Sequence, residues 1–143
     1  VNASIYDKNI GYSDIIKMDS VIILEYTIKC DDINRNIFVN SQFVDESDRV
    51  LFATTSKNSL LENNGIGSGN LKLQMTIPSD FFNQGVFRIN TKIVDSTKGV
   101  LIDEQELLTF TVSPKPIKLG DWMGKSKGPL RPGFKWKKII SNE

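Results

Sequence analysis

Histidine is absent from the 143 residues, and cysteine occurs once, at Cys30. Without histidine the chain lacks the commonest general base and metal ligand, which rules out Ser-His-Asp and Cys-His catalysis within it and most zinc sites. A lone cysteine allows no internal disulfide, so a reducing, cytoplasmic setting fits best. Long apolar runs are missing too. A stretch such as Val21 to Leu24 falls far short of the roughly 20 residues that span a bilayer, and a soluble domain is expected. The chain opens on Val1 with neither a basic region nor a hydrophobic leader, which points to a segment excised or processed from something longer.

What is present is a single-domain length, enough to bury a core without disulfides or metals, and an uneven charge. The net charge is +1, yet residues 1–112 carry ten Lys/Arg against fifteen Asp/Glu, whereas residues 113–143 carry eight against two. A basic tail of this kind serves nucleic acid, an anionic membrane or an acidic protein surface. Its interleaved Gly and Pro deny it a continuous basic helix, which favours an acidic body, its own or a partner's, and no nucleic-acid partner is expected.

Period-two patterns run through residues 1–112. Ile22, Leu24, Tyr26 and Ile28 share one face against Val21, Ile23, Glu25, Thr27 and Lys29, as in a half-buried strand. Asn36 to Asp45 alternates with Val39, Ser41 and Phe43 inside and Phe38, Asn40, Gln42 and Val44 outside. A polar turn at Asp45 to Arg49 leads into Val50 to Thr54, and an Asn/Ser/Gly-rich loop over Ser56 to Gly69 follows. Leu71 to Ile77 closes at Pro78, Phe87 to Val94 comes after a turn at Ser79 to Gly85, and Leu107 to Val112 completes the set. Short strands between turns, without a sustained helical period, indicate an all-β fold, an immunoglobulin-like antiparallel β-sandwich. Residues 1–112 form its body. Residues 113–143 form a C-terminal extension in which Phe134-Lys-Trp-Lys-Lys138 reads as a last strand in need of a sheet edge.

Chemical motifs are few. Gly124-Lys125-Ser126 fails as a phosphate-binding loop, because Leu119 stands where the first glycine belongs and no strand-to-helix context surrounds it. Asp31-Asp32, Asp45-Glu46-Asp48 and Asp103-Glu104-Glu106 each fall in an expected turn, where carboxylates serve local backbone hydrogen bonds. No catalytic residue, cofactor or metal site is expected. Tyr26, Phe43, Phe87 and Phe110 belong to the core. Phe38 instead shares its side with Asn40 and Gln42, and pairing of this strand with the one carrying Arg88, Asn90 and Lys92 would give a polar plate bearing a ring. Such a surface suits a sugar, whose hydroxyls hydrogen-bond and whose C–H face stacks; a plain solvated sheet face would share that composition.

In order along the chain, Asp45-x-x-Asp48-Arg-Val-Leu-Phe-x-Thr54, Ile77-Pro78, Gly85-Val-Phe-Arg-Ile89, Leu108-Thr-Phe-Thr-Val112 and Gly128-Pro-Leu-Arg-Pro132 leading to Trp136 resemble the C-terminal domain of Wzt. Wzt is the nucleotide-binding subunit of ABC transporters that export O-antigen polysaccharides. The resemblance extends from about Val21 to Trp136, and it departs at Asp48, where the family commonly has glycine. It implies an immunoglobulin-like sandwich that binds the exported glycan, often at its non-reducing end; the outer-face pattern above, and not the resemblance, makes Phe38, Asn40, Gln42, Arg88, Asn90 and Lys92 the candidate contacts. It also implies an upstream ATPase domain, a membrane subunit as partner, a position at the cytoplasmic face of the inner membrane, and a homodimer that exchanges C-terminal strands, here through Trp122, Phe134 and Trp136. The competing expectation is an immunoglobulin-type protein–protein interaction domain.

Overall fold

A computed structural model describes residues 1–12, 15–30, 37–57, 69–114 and 128–139. Trp122, the Gly124-Lys125-Ser126 motif, Asp31-Asp32 and most of the Ser56–Gly69 loop lie outside the described residues. Eight strands form: β1 Asn2–Asp7, β2 Ile16–Lys17, β3 Ile22–Cys30, β4 Ile37–Val44, β5 Val50–Thr55, β6 Gly69–Ile77, β7 Gly85–Asp95 and β8 Gly99–Ser113. They make two sheets, β1-β3-β6 and β2-β8-β7-β4-β5. The fold is the expected all-β sandwich. All its strand pairs are antiparallel except β2 with β8, which run parallel.

Alternation explains the layers. Leu24, Tyr26 and Ile28 of β3 meet Val39 and Phe43 of β4 and Phe87, Ile89 and Ile93 of β7 in one buried cluster, and fully burying each such side chain contributes roughly 1.5–3 kcal/mol. Tyr26, Phe43, Phe87 and Phe110 are all buried, as their faces require. Polar residues on the inner faces satisfy one another. The Tyr26 hydroxyl shares hydrogen bonds with Ser41 Oγ (2.7 Å) and Thr91 Oγ1 (2.9 Å), which ties β3 across the core to β4 and β7.

Four features depart from the sequence reading. Val44 is buried although it keeps its outward position, opposite Arg88 and outside the core cluster; the extra residue at the β4–β5 register shift is Leu51 of β5, since Phe43 pairs with Phe52 and Val44 with Val50. Asp103, Glu104 and Glu106 lie within β8 and not in a turn. That strand starts at Gly99, just after an Asp95-centred turn in which Asp95 Oδ1 accepts from the N–H groups of Thr97 (2.9 Å) and Lys98 (3.2 Å), and cross-strand cations on β7 make its acidic run compatible with pairing. The Ser79–Gly85 turn carries Phe81 and Phe82, and Phe82 fills one end of the sandwich against Phe43, Phe87 and Phe110. Finally, β1 and the two-residue β2 are strands that the pattern of residues 1–20 is too irregular to announce.

The Asp45 turn is built by its first carboxylate, whose Oδ1 accepts from the N–H groups of Ser47 (2.9 Å) and Arg49 (3.0 Å). Asp48 sits at φ 62°, in the left-handed region. Glycine adopts that conformation freely and aspartate tolerates it, so the one departure from the Wzt-like motif falls where the backbone asks for a residue of this kind. After β8 the chain returns to its own body: Asn83 N–H donates to Pro129 O (2.9 Å), Asn83 Nδ2 to Gly128 O (2.8 Å), and Arg131 N–H to Phe81 O (2.7 Å). Beyond Leu130, residues 131–139 join no strand of this single chain, and Phe134 and Trp136 are 81% and 97% exposed.

Candidate functional site

The outer face of the five-stranded sheet follows from register. Asn40 of β4 stands opposite Thr55 of β5 and Lys92 of β7, and Lys92 opposite Asp103 of β8. In the next row Ala53, Gln42 and Asn90 align. These residues, with Gln105, line an open groove of about 400 Å³. Asn40, Gln42, Asn90 and Lys92 are thus brought together, while the other two candidate contacts stand at the groove's ends. Phe38 lies next to Val94, half-buried, with the Lys57 ammonium 5.2 Å from its ring centroid. Arg88 is engaged by Asp48, by Glu106 Oε1 (2.5 Å) and by the Asp45 carbonyl (3.1 Å), and the two carboxylates hold its guanidinium even more firmly charged than usual.

The groove's own polar groups are only partly paired. Asn90 Nδ2 donates to Gln42 Oε1 (3.3 Å), Gln105 Nε2 donates to Asp103 Oδ1 (3.3 Å), and Lys92 Nζ stands 4.0 Å from Asp103 Oδ2. Among the described residues the Asn40 amide and the Gln42 NH2 have no hydrogen-bond partner, so donors and acceptors remain for a ligand rich in hydroxyls. Asp103 and Gln105 escaped the sequence reading because the register that delivers them depends on the full length of β8, and Thr55 because it is placed by the β4–β5 register, one residue past the strand expected to end at Thr54.

The opposite outer face holds a different cluster. Glu25 of β3 is only 6% exposed, although it points away from the core. Its Oε2 accepts from Gln74 Nε2 (2.5 Å) and the Tyr6 hydroxyl (3.1 Å), and its Oε1 accepts from the Tyr12 hydroxyl (3.3 Å) and lies 3.6 Å from Lys72 Nζ. Tyr12 reaches it because Asp7 folds the chain back, accepting from Asn9 N–H (2.8 Å) and Ile10 N–H (3.2 Å), and the Tyr12 ring then packs 4.4 Å from that of Tyr6. The Gln74 hydrogen bond, with those of the tyrosines and the charge of Lys72, outweighs burial and holds the Glu25 carboxyl below its usual range. Burial and the Glu25 hydrogen bond push Tyr6 up to about 12. Three hydrogen bonds and the Lys72 ion pair occupy this carboxylate, so it serves as a buried anchor.

Glu106 is tied to Arg88 and Asp103 to Gln105, and no cluster of three His, Cys, Asp or Glu side chains suited to a metal exists among the described residues. No helix among them is long and apolar enough to cross a membrane.

No family model matches the chain, and no curated protein matches it either. A solved structure does: the C-terminal domain of Wzt superposes with a TM-score of 0.71 over 97% of this chain and 82% of that one, at 10% identity. The two share a fold. A β-glucuronidase from glycoside hydrolase family 2 overlaps 73% of this chain and 11% of its own at 18% identity, with a TM-score of 0.47, too distant to bear on the argument.

Proposed function

We propose that this chain is a non-catalytic carbohydrate-binding domain that holds a bacterial O-antigen polysaccharide, at its non-reducing end, for export by an ABC transporter. The observation that carries the reading is the groove on the five-stranded sheet, where amides with free hydrogen-bonding capacity converge on a rigid surface. A polysaccharide segment presents closely spaced hydroxyls that suit such groups, and ligand sites take this form: a preformed concavity with a few convergent polar side chains. The ligand would lie across Asn40, Gln42, Asn90 and Lys92, with Phe38 and Arg88 bounding it. Support comes also from the fold shared with the Wzt C-terminal domain and from the strand order, which is of immunoglobulin type, with the N-terminal segment divided between β1 of one sheet and β2 of the other.

In this reading an ATPase domain precedes the sandwich in the full protein, a membrane subunit is its partner, and the assembly works at the cytoplasmic face of the inner membrane. The exposed rings of Phe134 and Trp136 favour a homodimer in which this segment adds to a neighbour's sheet edge, with Trp122 in the same interface; closed two-fold exchange would cover them. Light scattering on the intact chain and on a form ending at Ser113 tests this, with a dimer expected for the first and a monomer for the second.

Titration with purified O-polysaccharides tests the function itself. Saturable binding that is lost in an Asn40→Ala, Gln42→Ala double variant is expected. The same exposed rings also suit a second reading, an immunoglobulin-type protein–protein interaction domain. Absence of glycan binding alongside capture of a protein partner through residues 131–139 would establish that one instead.

A further inference from the structure

Strands β7 and β8 fall out of register at the groove. Ile89 pairs with Leu108 and Thr91 with Glu104, so Gln105, Glu106 and Leu107 stand opposite Asn90 alone. Glu106 lies at φ 54°, in the left-handed region, in the middle of a strand. Two contacts hold it there: its N–H donates to Asn90 Oδ1 (2.8 Å), and its carboxylate accepts from Arg88 (2.5 Å), which is itself fastened to the Asp45–Asp48 turn. The bulge turns Gln105 into the groove next to Asp103 and Asn90. Bulges and left-handed non-glycine residues concentrate beside binding sites because they re-aim side chains at a backbone cost that function maintains.

The charges around the groove are equally specific. Its lining holds one cation and one anion, Lys92 and Asp103, which face each other. Arg88 is neutralised by Asp48 and Glu106, and residues 1–112 carry an excess of acidic groups. The groove's own lining therefore presents an anionic polymer with no excess of positive charge. The amides, in contrast, each offer a donor and an acceptor, which suits hydroxyl and acetamido groups.

Resting on the carbohydrate reading above, we propose that the groove takes an uncharged glycan segment, and that Gln105 and Asn90 read it from positions set by the Glu106–Arg88 bulge. Glu106 is a positioning residue: it touches no ligand and acts through its neighbours.

The test is titration of the intact chain with purified neutral and acidic O-polysaccharides at low and high salt. Neutral polymers are expected to bind with little salt dependence, and Gln105→Ala to weaken them about fivefold, the effect of one lost hydrogen bond of ordinary strength. Glu106→Val, whose branched side chain resists the left-handed conformation, should weaken binding by a similar factor, and Glu106→Gly, which retains that conformation, by clearly less. Equal losses for the valine and glycine variants would remove the bulge from the argument, as would unchanged affinity in Gln105→Ala, which decides the matter alone if Glu106→Val does not fold. Preference for acidic polymers, with affinity falling steeply in salt, would overturn this inference while leaving the carbohydrate reading standing. Binding of neither kind would overturn both.

Discussion

On the outer face of the three-stranded sheet the Glu25 carboxylate accepts three hydrogen bonds and faces the Lys72 ammonium under a tyrosine pair, whereas on the five-stranded sheet the Asn40 side-chain amide and the Gln42 NH2 have no hydrogen-bond partner among the described residues. Both positions are outward in the period-two pattern, and both are polar. What separates them is the neighbouring chain: the Asp7 turn brings Tyr12 back over Glu25, while no described segment folds over the groove. A polar side chain on a sheet face therefore becomes an anchor or a contact according to what covers it. Replacing an anchor should cost stability, and replacing a contact should cost affinity.

The largest effect belongs to the anchor. Glu25→Ala leaves the Tyr6 and Gln74 donors without their acceptor, and losing hydrogen bonds to a charged group costs about 1.5–3 kcal/mol each in a closed site; because Tyr12 is 68% exposed and water can enter, a total of about 2 kcal/mol is expected. Chemical denaturation reads it. For a domain of this size a loss of that order lowers the melting temperature by roughly 4–10 °C, with glycan affinity unchanged. A variant that lost glycan binding at full stability would reverse the roles of the two faces.

Titration sharpens the same contrast. The folded Glu25 carboxyl lies below its usual range, as does that of Asp7, where hydrogen bonds from Ser20, Asn9 and Ile10 outweigh burial. The stability these groups contribute is present above the ordinary carboxylate range and is lost as pH falls through their depressed folded values. Tyr6 has the opposite sign. Its folded value, pushed from 10.0 up to about 12, gives a contribution that is complete below about pH 10 and lost as pH rises toward 12. Unfolding followed against pH should therefore show an alkaline loss that Tyr6→Phe reduces, the remainder belonging to Tyr26, whose hydroxyl burial also pushes up. No such limb is expected from the amides of the groove, which do not titrate.

The body of the sandwich was legible because Leu24, Tyr26, Phe43, Ile89 and Phe110 alternate with polar neighbours, and alternation fixes which side is inside whatever the partner strand. Pairing partners were less legible, because register is a tertiary property. Asn40, Gln42, Asn90 and Lys92 could be placed on one plate from face alone, but Asp103 and Gln105 join them only through the long β8 and its bulge, and an acidic run reads locally as a turn. Glu25 was legible as outward and not as buried, since its cover comes from Tyr12 by way of a turn whose direction sequence does not specify. Phe81 and Phe82 were hidden for the same reason: a turn holding two aromatics gives no sign of which sandwich end it will plug.

The smallest expected effect is at Phe38, where the two kinds of position meet. Its ring is half-buried next to Val94 and lies under the Lys57 ammonium, which makes it partly an anchor, yet it sits on the groove's side of the sheet, one outward position before Asn40. A single sugar seated among the amides would not reach it; a longer segment running along β4 would. Phe38→Ala should consequently leave the affinity for a monosaccharide or disaccharide unchanged and weaken a longer oligosaccharide by about two- to threefold, or roughly 0.5 kcal/mol. Stability should fall by about 1–2 kcal/mol, from the packing of a half-buried ring together with the lost cation–π contact. Affinities measured across an oligosaccharide length series decide it. An equal loss at every length would place the ring inside the primary contact, and no loss at any length would end the bound segment at Asn40.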